Sequence, residues 1–223
     1  MNQNPPKIDE ARVILVDKPF RWTSFDVVKK IRYGLKLKKI GHAGTLDPLA
    51  TGLLILCTGK MTKQIESFQA QEKEYTGTFV IGKTTPSFDL ETEVDSENDI
   101  SSITNENIHA ATEQFKGWID QVPPVFSAVK VNGKRAYKSA RLGEEVELKS
   151  RKVEIKTFEI TAINLPEVSF KIVCSKGTYI RSIARDFGLV LNTGAYLSSL
   201  CRTRIGEFKL EDASTIDEIV SIP

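Results

Sequence analysis

The sequence predicts a mixed α+β fold: a largely antiparallel sheet flanked by helices. Three observations carry this expectation. Strand-like and helix-like segments are interspersed along the chain instead of grouped. Several of the strand segments alternate apolar and polar residues, as a sheet with one wet face requires. With 223 residues, 40% hydrophobic and 27% charged, the chain is long enough for a sizeable core and too apolar for wholesale disorder.

The elements follow in order. Residues 1–10 read as a frayed tail, and Val13–Val16 as a buried strand ended by Asp17-Lys18-Pro19. Thr23 followed by Asp26 is a capping-box pattern, and Phe25, Val28, Ile31 and Leu35 keep helical spacing, so a helix is expected over 24–34 with Gly34 at its end. GHAGTLDPLATG, residues 41–52, reads as a loop of tight turns. Leu53–Cys57 is expected as a strand, 60–68 as a short helix, and 75–83 as a strand with Tyr75, Gly77, Phe79 and Ile81 on one face. The acidic stretch 89–99 holds no Lys or Arg and reads as a solvated loop or flap. A helix over 105–116 precedes Gln121-Val122-Pro123-Pro124, which excludes regular structure. Strands are expected within 142–163, over 168–174 and near 196–203. Thr178 is the expected N-cap of a helix over 179–191, and a short helix closes the chain near 214–221.

Composition narrows the chemistry. Lys and Arg total 31 against 29 Asp and Glu, a near-balance that excludes a histone-like polycation but not a nucleic-acid binder with segregated charge. The charge is in fact segregated: Lys29, Lys30, Arg32, Lys36, Lys38 and Lys39 form one acid-free group, and Lys130, Lys134, Arg135, Lys138 and Arg141 another. Each is read either as a solvated face or as a surface for RNA phosphates, with Tyr33 and Tyr137 among them as stacking groups. Cys57, Cys174 and Cys201 lie far apart, without a CxxC, and His42 and His109 are remote from one another, which argues against a zinc cage and for buried free thiols in a reducing cytoplasm. The start lacks a signal-peptide h-region, and the longest apolar run, Leu53–Cys57, is too short to cross a bilayer.

Asp47 is the candidate catalytic residue. Gly41, Gly44 and Gly52 allow its loop unusual backbone angles and close approach of a ligand. The competing reading is a helix N-cap, because Asp47-Pro48 matches a cap followed by Pro at the first helical position. Neither a P-loop nor a dinucleotide fingerprint is present.

GHAGTLDPLATGLLILCTGKMTK, residues 41–63, resembles the catalytic signature of the TruB family of tRNA pseudouridine synthases, and further segments match in order. These are Lys73-Glu74-Tyr75, the stretch QVPPVFSAVKVNGKRAYKSAR over 121–141, CSKGTYIRSIAR over 174–185 and SSLCRTRIGEF around Leu200. The resemblance spans roughly residues 12–210. It implies the pseudouridine synthase catalytic fold with a central cleft and residues 11–223 as catalytic domain; many relatives add a C-terminal PUA domain, which is not expected within this sequence, either because this version lacks it or because the sequence is cut short of it. It departs from the family at Arg21, where a glycine is usual, so a non-glycine residue must make that turn and Trp22 is expected to add an RNA or core contact.

The resemblance also implies an activity, isomerisation of uridine 55 in the T loop of tRNA, with no cofactor and no metal. Asp47 would be the essential carboxylate, Arg181 the guanidinium that keeps it charged, and Tyr75 a stacking phenol. His42, Tyr179, Leu200, Lys18 and Lys63 would bind substrate: His42 holding the flipped conformation, Leu200 walling the uracil pocket, Lys18 and Lys63 meeting phosphate or shaping the loop. Lys36, Lys38, Lys39, Lys130, Arg135 and Arg141 would track the RNA backbone. The expected partner is the T stem-loop of tRNA, not a membrane, and a cytoplasmic monomer is expected. Two other readings stay open: a catalytically silent RNA-binding or RNA-folding module on this scaffold, and an unrelated Asp-dependent hydrolase or phosphotransferase, which would need a metal.

Overall fold

The structure is a computed structural model and describes residues 11–127, 129–131, 133–136 and 148–221. The expected tail, Tyr137, Lys138, Arg141 and the beginning of the 142–163 strands lie outside these residues. The chain divides into two compact units, Met1–Tyr75 with Leu200–Pro223, and Thr76–Ser199.

The first unit is organised around β3 (Thr51–Thr58), which pairs antiparallel with β1 (Val13–Lys18) and β2 (Ile40–Ala43). The strand β12 (Ala195–Ile205) runs parallel to β3, with Arg202 opposite Gly52, and pairs with the short β13 (Phe208–Lys209). β3 is apolar from Leu53 to Cys57 because both of its faces are covered there. Leu54 and Leu56 pack under α1 (Ser24–Gly34) and the closing helix α5 (Ile216–Val220), with Val16, Val27, Ile31 and Ile219. Leu53, Ile55 and Cys57 face the other way, against Met61, Ile65 and Phe68 of a 3-10 turn and the short helix α2 (Ile65–Ala70). Tyr75 lies in β4 (Lys73–Ile81).

α1 starts as the capping box requires: Thr23 accepts from the Asp26 amide and Asp26 accepts from the Thr23 amide. Its buried stripe is Ser24, Val27 and Ile31, and Phe25 is exposed, which corrects the expected apolar face by a third of a turn. Gly34 serves close approach and not a reversal, since a Cβ there would stand 2.7 Å from Val220. The left-handed residue comes later, at Lys36 with φ 51°.

In the second unit the strands run in the order β12, β4, β11 (Glu167–Cys174), β10 (Arg151–Asn164), β7 (Gly117–Gln121). β10 pairs antiparallel with both neighbours. Phe79, Phe158, Phe170 and Phe187 fill the core, with the Phe79 and Phe170 rings stacked at 4.2 Å. Helices α3 (Asn105–Glu113) and α4 (Ile180–Val190) cover it. Two short hairpins complete the unit, β5 (Lys83–Thr84) with β6 (Ser96–Glu97), and β8 (Lys130–Val131) with β9 (Lys134–Arg135). The expectation of a mixed, mostly antiparallel sheet flanked by helices holds.

Three local expectations are corrected. Residues 40–43 are strand, so His42 sits in β2 opposite Leu56 and not in a loop. Thr178 does not cap α4: its hydroxyl donates to Ser175, and Tyr179 occupies the cap position. Gln121 ends β7, a strand the prolines after it concealed. Among the described residues, no helix is long and apolar enough to cross a membrane.

Candidate active site

Within the first unit, the Asp47 loop is held backbone group by backbone group. Arg202, 1% exposed, donates from Nη2 to the Gly44 carbonyl at 3.1 Å, from Nη1 to Thr45 at 3.5 Å and from Nε to Leu53 at 2.8 Å. Ser24 Oγ donates to the Leu46 carbonyl at 3.2 Å and accepts from the Leu46 amide at 2.9 Å. The Asp47 carbonyl accepts from the Ala50 amide, and the Pro48 carbonyl from the Arg21 amide at 2.8 Å. Lys18 Nζ also reaches Pro48, at 3.3 Å, along with the carbonyls of Pro19 and Trp22. An irregular segment normally satisfies these groups with water. Here side chains from β1, α1 and β12 do it, and the half-buried Asp47 is fixed in place.

The helix-cap reading of Asp47 is set aside, because a turn and not a helix follows at Pro48. Lys18 is fully buried, which answers to shaping the loop and not to meeting phosphate. Arg21 makes its turn at φ 65°, the left-handed angle that a glycine takes without cost, and Trp22 packs on the core cluster.

Burial pushes the Lys18 ammonium down to about 8, with the Asp47 carboxylate working against that and the Arg202 guanidinium with it. His42 is held below the ordinary imidazole range, first by burial and then by Arg202, so it is neutral at pH 7, and its Nδ1 is buried with no hydrogen-bond partner among the described residues. Tyr75 is buried, Leu200 half-buried and Lys63 exposed on the 3-10 turn.

Within the second unit, Arg181 is 3% exposed on the first turn of α4, against the solvent-facing position its helix spacing permits. Its Nε lies 3.5 Å from Asp89 Oδ2, and its terminal nitrogens donate to the carbonyls of Ser87 and Phe126. Asp89, read from the sequence as part of a solvated stretch, is buried, while residues 93–99 are exposed. Tyr179 is gripped by Gln121, which accepts from its amide at 2.8 Å and donates to its carbonyl at 3.1 Å. The Arg151 guanidinium sits 4.5 Å from the Tyr179 ring centre.

Arg202, Ser24 and Gln121 are the site-building residues that sequence reasoning did not single out. Their shared signal is a polar residue at a position that alternation or helical spacing would bury. Lys36, Lys38 and Lys39 are exposed, and of Lys130 and Arg135 the described part is backbone. Among the described residues no cluster of His, Cys, Asp and Glu could hold a metal ion.

Comparison with solved structures defines the class of fold. The chain superposes over 96% of its length on a Cbf5-Nop10-Gar1 complex, with TM-score 0.75 and 32% identity, and covers 54% of that chain. It matches an H/ACA RNP bound to a substrate RNA containing 2'-deoxyuridine with TM-score 0.72 and 28% identity, covering 53% of that chain. It thus spans about half of each of those chains, and its fold is that of a pseudouridine synthase catalytic domain.

Sequence comparison narrows this to one family. Residues 32–180 match the TruB family pseudouridylate synthase N-terminal domain. A tRNA pseudouridine synthase B of Flavobacterium johnsoniae is 55% identical over 95% of this chain and 96% of its own, and one of Phocaeicola vulgatus is 55% identical over 93% and 91%. The chain belongs to the TruB family.

Proposed function

We propose that this protein is a tRNA pseudouridine synthase that isomerises uridine 55 in the T loop, with Asp47 as the essential carboxylate. The observation that carries the reading is the Asp47 loop of a TruB-family chain, pinned along its backbone so that one half-buried carboxylate is presented on a rigid support. The reaction breaks the N1–C1′ bond of uridine, turns the uracil and joins C5 to C1′, so one fixed carboxylate is enough to act at the sugar or the base. The nucleotide leaves its stack first. In this reading Arg181 is the guanidinium partner that the family resemblance assigns to the carboxylate, Tyr75 stacks on the base, and Tyr179, Leu200 and His42 shape its surroundings. The exposed Lys36, Lys38, Lys39 and Lys63, with Lys130, Arg135 and Arg141, follow the RNA backbone. The reading takes the protein to work as a cytoplasmic monomer.

The test is Asp47→Asn. Carbodiimide–alkali primer extension on tRNA should show a stop at position 55 with the wild-type protein and none with the variant, while tRNA affinity and melting temperature stay nearly unchanged. Normal turnover by the variant would remove Asp47 from the chemistry. Absence of the stop with the wild-type protein would favour a silent RNA-binding module.

A further inference from the structure

Helix α1 has two unlike faces. Ser24, Val27 and Ile31 are buried, while Phe25, Lys29 and Tyr33 follow one another along the opposite side in solvent. Phe25 is 69% exposed, Tyr33 72% and the nearby Phe20 51%. Burying one such side chain is worth about 1.5–3 kcal/mol, so three left in water on one short segment mark a contact surface.

Beside them runs a groove of about 410 Å³, lined by Arg21, Trp22, Asp26, Lys29, Lys30 and Tyr33. Trp22 leans on the core cluster of Val16 and Ile31 and forms a fixed wall. The chemistry of the rim is one-sided. Arg21, Lys29 and Lys30 line it against one acid, Asp26, and no further acid follows in the sequence before Asp47. Asp26 itself is committed through Oδ2 to the Thr23 amide and hydroxyl, at 3.0 and 2.5 Å, and these bonds hold its carboxyl below the usual range. Its other oxygen is left to accept from a hydroxyl or amino group.

We propose that this groove binds an unpaired RNA nucleotide outside the Asp47 loop: the base against Trp22 and Tyr33, the flanking phosphates on Lys29 and Lys30, and a ribose hydroxyl or base amino group at Asp26. Aromatic rings interleaved with cations suit an unstacked base, whereas a duplex hides its base faces and asks for charge alone. The inference rests on the reading that the protein's substrate is RNA, and it adds a second point of attachment to it.

Trp22 reports on the groove directly. The chain has two tryptophans, and Trp118→Phe, at an exposed position on β7, leaves Trp22 as the single emitter. The probe is a short oligoadenylate, which carries no uridine for the Asp47 loop. Saturable quenching of Trp22 emission is expected. Tyr33→Ala should weaken the affinity about 5-fold or more, the lower end of one base–aromatic stack. Lys29→Ala with Lys30→Ala should lower the slope of log affinity against log salt by about 1.4, at roughly 0.7 per single-strand phosphate. Absent quenching, or an unchanged affinity in Tyr33→Ala, overturns the proposal. Quenching by anionic lipid vesicles but not by oligoadenylate, or by self-association alone, overturns it as well. Pseudouridine formation is measured on the same protein. Quenching without pseudouridine removes the proposed activity and keeps the groove; pseudouridine without quenching does the reverse.

Discussion

The ammonium of Lys18 donates to the carbonyl of Pro48, the residue directly after Asp47, at 3.3 Å. The lysine that ends β1 therefore holds the loop that carries the candidate catalytic carboxylate. Its two other acceptors, Pro19 and Trp22, belong to the turn that leads into α1, so one buried cation ties three segments together.

That burial has a pH signature. The Lys18 ammonium falls from an ordinary 10.5 to about 8 in the folded protein. Below pH 8 both folded and unfolded chains carry the proton, and the full cost of burying the charge is present. Between pH 8 and 10.5 the unfolded chain holds the proton and the folded one releases it, so stability rises with pH. Urea midpoints at pH 7 and pH 9.5 should therefore rise for the wild-type protein relative to Lys18→Met. Parallel changes in the two proteins would show that Lys18 does not titrate in this range.

Arg202 makes a separate prediction. Arg202→Met leaves the Leu53, Gly44 and Thr45 carbonyls without their donor. A buried acceptor left unpaired costs about 1–3 kcal/mol, and the Gly44 and Thr45 carbonyls can turn to water, so a loss of about 3 kcal/mol is expected by urea unfolding. The stronger readout is kinetic. A loosened Asp47 loop should lower kcat at least about tenfold with KM little changed, because the effect falls on positioning and not on RNA affinity. Arg202→Lys should recover part of kcat by restoring one donor. A kcat that drops only with the folded fraction would make Arg202 purely structural.

The sequence showed these features unequally. Elements with a strong period or a cap were legible: the Thr23–Asp26 box set the start of α1, and the alternation of Val168, Phe170, Ile172 and Cys174 set β11. The Asp47 loop was legible through its glycines, yet 40–43 belonged to β2, because long-range pairing to Leu56 overrides the local glycine signal. Arg202 and Gln121 were not legible. Each is a polar residue whose partners are backbone groups of distant segments, and such partners have no period and no local motif.

Gln121 allows a test in the second unit. It is fully buried and bonds both the amide and the carbonyl of Tyr179, which caps α4 without a side-chain cap of its own. Gln121→Leu should cost about 2 kcal/mol and speed hydrogen exchange at the start of α4. Gln121→Glu keeps the acceptor for the Tyr179 amide, loses the donor to its carbonyl and should fall between. Exchange at Tyr179 and Ile180 that matches the wild-type protein would show that the cap is held by other means.

The exposed basic group after α1 gives the last prediction. Lys36, Lys38 and Lys39 stand in solvent around the left-handed turn at Lys36, where the chain leaves α1 for β2. A lysine that neutralises an RNA phosphate releases a condensed counterion and adds about 0.7–0.9 to the slope of log affinity against log salt. The triple Ala variant should therefore bind tRNA more weakly at low salt and lose up to about 2–3 from that slope, while its melting temperature is unchanged, since none of the three packs on the core. Anisotropy titrations of labelled tRNA across a salt series measure both. A slope equal to that of the wild-type protein would show that the RNA backbone runs elsewhere, and the loss of affinity at low salt would then have to come from the net charge of the whole chain and not from contact at this turn.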